Sequence, residues 1–83
     1  MPEITRFYGI VIKIFFTNEH PPPHFHAIYG EYNGLIDIKT LEMIEGDLPG
    51  KAKILVKEWA SIYQNELITM WNTKTLKKLE PLR

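Results

Sequence analysis

Over the first half of the chain apolar and polar side chains alternate in short runs, and from Lys51 onward they recur three and four residues apart. The first pattern has the period of strands and the second that of a helix. Ile4 to Phe7 reads as a short edge strand. After Gly9, the β-branched and aromatic run Ile10 to Phe16 reads as the central strand, with Ile10, Ile12, Ile14 and Phe16 on one face and Val11, Lys13 and Phe15 on the other, wetter one. His24 to Tyr29 forms another strand, and Leu35 to Lys39 returns as its hairpin partner across a loop at Gly30 to Gly34. That register sets Ile36 and Ile38 in the core with Phe25 and Tyr29, and leaves Leu35, Asp37 and Lys39 beside His24 and His26. Leu41 to Glu45 adds one more short strand.

Asp47, Leu48 and Pro49 look like a helix start, with Asp47 as an acidic cap. The stripe Ala52, Leu55, Val56, Trp59, Tyr63, Leu67, Met70 and Trp71 then predicts one helix over residues 49–72, with both tryptophans as core anchors. Ile54 and Ile62 either broaden the stripe or face a partner. Residues 73–83, basic and interrupted by Pro81, are expected to be irregular. The fold class is therefore α+β, a small antiparallel meander with one long C-terminal helix across a face, in one domain spanning residues 1–83.

Composition narrows the setting. Among 83 residues there is no cysteine, which removes disulfides and thiolate ligands and fits a reducing compartment. No apolar run approaches the roughly 20 residues of a membrane span, and Met1-Pro2-Glu3 lacks the features of a signal peptide, so a cytoplasmic location is expected. The formal charge of zero hides an asymmetry: residues 1–47 hold three Lys/Arg and seven Asp/Glu, residues 48–83 the reverse. The plain reading is a basic helix complementing an acidic sheet, and the balanced total argues against tight nucleic-acid binding.

All three histidines and three of the six prolines fall in His20-Pro21-Pro22-Pro23-His24-Phe25-His26. On a strand, His24 and His26 point the same way with Cβ atoms about 6 to 7 Å apart. They could flank a phosphate as general acid and base, with Asp37 orienting one of them and Arg6, Lys13 or His20 binding the phosphate. Alternatively His24, His26 and Asp37 could hold zinc or manganese with positions left open. His20, held off by three prolines in polyproline II geometry, lies about 12 Å from His24 and would cap the far end of a ligand. Against both stands a structural reading, in which the block is a rigid strand entry whose imidazoles bond to backbone, and Arg6 merely pairs with Glu3 or Glu45. The site readings require the two imidazoles to project from the outer surface of the hairpin, away from the helix.

The block, together with Pro2 to Ile10, Tyr29-Gly30-Glu31-Tyr32, Ile36-Asp37-Ile38, Glu45-Gly46, Leu48-Pro49 and Glu58-Trp59-Ala60, resembles the small bacterial domain-of-unknown-function family 4160. Two departures are Thr40-Leu41, in place of a Thr-Gly turn, and Gly50-Lys51, where relatives carry arginine after Leu-Pro. The resemblance carries no established activity. It implies a neighbouring gene encoding a protein of domain-of-unknown-function family 2442, in an arrangement like a toxin and antitoxin pair. On that footing the expected function is binding a partner protein and acting on RNA through the histidines, as a metal-independent ribonuclease if catalytic. The alternative is a metal-binding or purely structural interaction module, and self-association is a further expectation.

Overall fold

The computed structural model describes residues 3–16 and 20–83. Five antiparallel strands follow in chain order across one sheet: β1 (Glu3–Phe7), β2 (Ile10–Lys13), β3 (His24–Tyr29), β4 (Tyr32–Asp37) and β5 (Met43–Gly46). A single helix, α1 (Gly50–Thr73), crosses one face. The α+β meander read from the alternation is therefore the architecture. The middle position, however, belongs to β3 and not to the Ile10 run, which is second in the sheet and ends at Lys13. Local apolarity marked that run as well buried, but strand order depends on pairings beyond it. The turn expected from Thr17 to His20 falls mostly outside the described residues.

Turn chemistry fixes the hairpins. Tyr8 and Gly9, between β1 and β2, both have positive φ, at 50° and 81°. This is the sign pattern of the tight turn whose twist matches paired strands. Between β3 and β4 only Gly30 and Glu31 turn, with Gly30 at φ 59°. The wider loop expected up to Gly34 is instead strand, because Tyr29 pairs with Tyr32 and Ala27 with Gly34. Gly34 is a strand residue for a packing reason: a Cβ there would come within 2.9 Å of the Met43 sulfur and 3.1 Å of Leu48. Those side chains occupy the space a larger residue would claim.

The core forms where the period-2 faces of the sheet meet the stripe of α1. Ile10, Ile12, Ile14, Phe25, Ala27, Ile36 and Ile38 are buried against Val56, Trp59, Leu67 and Trp71. Phe7, Phe25 and Tyr63 surround Trp59 with ring centroids 5.5 to 5.9 Å away. Tyr29 is not part of this core: at the sheet's end it remains 38% exposed. Ile54 and Ile62, at 68% and 60% exposed, stand outside the stripe.

Three details of α1 differ from the periodic reading. Pro49 is the N-cap residue and no side chain caps the helix; Asp47 instead donates its backbone N–H to the Asn33 carbonyl at 3.2 Å. The helix departs from ideal geometry at Tyr63 (φ −109°, ψ 19°), beside Gln64, whose amide donates to the carbonyls of Ile38 and Lys39 at 2.8 and 2.9 Å. Residues 74–83 have no regular structure but are docked. Leu79 and Leu82 pack on the core, the Leu79 N–H reaches the Ile4 carbonyl at 3.3 Å, and the Trp59 indole N–H donates to the Glu80 carbonyl at 2.9 Å. The expected charge complementarity between helix and sheet comes down, among the described residues, to Lys57 and Glu42 at 3.2 Å.

Candidate functional site around the histidine block

The histidine block enters the sheet from an exposed shoulder. His20, Pro21 and Pro22 are exposed and the chain bends at the two prolines, so it does not run as an extended spacer. From Pro23 inward it is tied down: the Pro23 carbonyl accepts the Ile38 N–H at 2.9 Å, and His24 faces Asp37 as the first pair of the β3–β4 ladder. The face deduced from alternation is the observed one, and the pairing along it sets His26 opposite Leu35.

His24 does not project into solvent. It is only 5% exposed, and its ring lies 5.1 Å from the Trp71 indole of α1 and 5.6 Å from the His26 ring. Its Nδ1 is 2.9 Å from the Pro22 carbonyl oxygen. A carbonyl can only accept, so Nδ1 carries the hydrogen and donates. The expectation that both imidazoles lie on the outer surface, away from the helix, is thus corrected for His24: its ring packs against α1 and bonds to main chain. The Trp71 ring also carries Lys74, whose Nζ sits 4.5 Å from the ring centroid. His26 is half-buried, with Phe15 edge-on at 4.7 Å.

Asp37 was expected beside both histidines as an orienting carboxylate, which the alternation placed nearer to His26. It faces His24 across the ladder instead, and its Oδ1 accepts the backbone N–H groups of Lys39 and Thr40 at 2.7 and 3.2 Å. It organises the turn into β5, in which the Leu41 N–H also reaches the Asp37 carbonyl at 2.7 Å. The bonds from Lys39 and Thr40 both fall on Oδ1, so the carboxyl is oriented by its own turn. Among the described residues, no three His, Cys, Asp or Glu side chains gather as metal ligands do.

The proposed phosphate binders are dispersed. Lys13 pairs across the strands with His26 on one side and Glu3 on the other, so it shares the face of His26. Arg6 lies two strands from β3, opposite Val11, which itself faces Ile28; that places it about 12 Å from His26 along the sheet. Its guanidinium grips Glu3 with both ends, Nε at 2.8 Å and an Nη at 2.7 Å. The same contact holds the Glu3 carboxyl below its ordinary range and pushes the Arg6 guanidinium up. His20 reaches the histidine region after all, since the bend at the prolines brings it to the rim of a hollow that His24 also lines. This hollow, of about 290 Å³, is completed by Pro21, Pro22, Leu35, Ile44 and Glu45.

The residues that sequence reasoning missed are Trp71, which closes over His24, and Ile44, which stands 48% exposed at the hollow. The position of Trp71 on the apolar stripe showed that it was buried, but no local signal identified its neighbour 47 positions earlier in the chain. Ile44 owes its exposure to an irregularity in the β4–β5 register between Leu35 and Ile36, which leaves it with no partner in the ladder.

No curated protein and no solved structure shows significant similarity to the chain. No helix among the described residues is long and apolar enough to cross a membrane. The chain belongs to the family described as Domain of unknown function (DUF4160), whose model matches residues 9–72.

Proposed function

We propose that this member of family 4160 is a protein-binding module whose docking surface is the proline shoulder and the adjoining hollow, and that the partner is the family 2442 protein expected from a neighbouring gene. One observation carries the reading: the histidine block is sealed and bonded at His24 while its other end, His20 to Pro22, is exposed beside Ile44. A shoulder fixed at its base loses little freedom on binding, which favours recognition. Prolines and an exposed isoleucine offer an apolar centre, and Glu45 an acidic rim. The acidic excess of residues 1–47 makes a basic surface on the partner the complementary one.

Acid and base catalysis on RNA by His24 and His26 receives less support, because His24 is only 5% exposed with its ring against Trp71, which leaves little room for a phosphate beside it. The test is coexpression of the two proteins with a tag on one. Copurification is expected, and Ile44→Glu should abolish it while leaving the fold intact, because that side chain is half in solvent. Absence of copurification with the unaltered chain would sink the partner assignment, and retention by the Ile44→Glu variant would sink the surface. Growth of cells expressing this chain alone and with its neighbour decides the toxin role, since a toxin arrests growth only when alone.

A further inference from the structure

The end of the sheet away from His24 holds a second feature. The β1–β2 turn, the end of β3 and the start of α1 enclose a cavity of about 280 Å³. Tyr8 and Tyr29 line it from the sheet, Pro49, Ala52 and Leu55 from the helix, and Lys51 is the one charged side chain among its described lining residues. Tyr29 is five residues along β3 from His24, about 17 Å, so this cavity is separate from the proline shoulder.

The turn is built in an unusual way for the tyrosines. Tyr8 has φ 50°, a left-handed conformation that Asn and Gly adopt readily and that an aromatic side chain does nothing to offset. It is nevertheless 61% exposed, its one described ring contact an edge approach to Phe7 at 6.3 Å, so core packing does not account for it. At Gly9 a Cβ would come 3.2 Å from the Tyr29 ring, so the glycine leaves room for that ring beside the turn. Strained, exposed residues of this kind concentrate at binding sites.

We propose that this cavity binds one nucleotide unit, with the base against the tyrosine rings and the aliphatic wall and the phosphate at Lys51. Aromatic faces accept any base, and the volume is at the small end of ligand sites, which suits one base and its sugar. The first turn of α1 holds no acidic residue to repel the phosphate. A free mononucleotide and an unpaired nucleotide within single-stranded RNA share this chemistry. The inference is independent of the docking surface above.

The test titrates the full chain with adenosine monophosphate and, separately, with a labelled single-stranded RNA octamer, following backbone amide shifts and anisotropy. Shifts are expected at Tyr8, Tyr29, Lys51 and Ala52. Saturation by the mononucleotide assigns a free nucleotide as the ligand; saturation by the octamer alone assigns RNA. Tyr8→Asn should weaken binding by about fivefold to a hundredfold. The same change should leave Tm unchanged or raised, because Asn-Gly is the favoured pair for this turn. Lys51→Gln should weaken binding and flatten its salt dependence. The proposal is overturned if neither ligand moves these amides at millimolar concentration, or if the Tyr8→Asn variant binds as well as the parent chain.

Discussion

Replacing His24 with alanine separates scaffold from catalyst. The variant loses the Nδ1–H bond to Pro22 and the ring contact with Trp71, and it opens a gap where a side chain is 95% buried. A net hydrogen bond contributes about 1 kcal/mol. The aromatic contact contributes about another 1, and removal of the buried ring about 1 more. The total of about 3 kcal/mol is a large part of the roughly 4 to 12 kcal/mol expected for a domain this size. Melting should fall by about 12 to 24 °C, followed by far-ultraviolet circular dichroism and by the combined fluorescence of Trp59 and Trp71. His20→Ala, at an exposed position, is the control and should change stability by no more than about 0.5 kcal/mol. A His24→Ala variant melting within about 2 °C of the parent would refute the reasoning, since its ring would then be dispensable to the fold. The catalytic reading would regain its ground.

Two further predictions test the frame around the site. Gly46→Ala should loosen β5, because Gly46 has φ 88° and a Cβ there would collide with the Asn33 carbonyl oxygen. A loss of more than about 1 kcal/mol in urea denaturation and faster amide exchange in β4 and β5 are expected, and unchanged exchange would contradict the packing. The Glu3 carboxyl, held down by Arg6, contributes stability that is present above its ordinary value of 4.5 and lost as pH falls through its lower folded value. A carbon-detected titration should therefore place Glu3 below that ordinary value, and Arg6→Ala should bring it back up; an unmoved midpoint would mean that the pair is not formed in solution.

How much of this was legible in the chain varies by element. Strand faces were legible because side chains alternate strictly: the positions of Ile10, Ile12, Phe25 and Ile36 in the core, and the sharing of one face by His24 and Asp37, follow from period 2, whereas their direct pairing does not. The helix was legible because its stripe recurs for six turns, ending one residue from the expected boundaries. Asp47 was misread as a cap because an acidic residue before Pro49 satisfies the local rule, while the observed bond to Asn33 is a contact between elements. The segment after Thr73 was read as irregular because it has no period, and it is; that Leu79 and Leu82 pack on the core and the Glu80 carbonyl accepts from Trp59 are contacts between distant segments, which no local pattern announces.

By itself, then, the sequence determined the α+β class, the faces of the strands and the placing of two imidazoles two residues apart, since these depend on local geometry and on burying apolar area. Tertiary structure alone decided what those imidazoles meet. Trp71 arrives from the far end of the helix to close over His24, Asp37 turns into its own loop, and the prolines bend outward beside Ile44. Contacts between distant segments are set by how the sheet and helix pack, and nothing in the order of residues around a histidine encodes which side chain will come to lie against it.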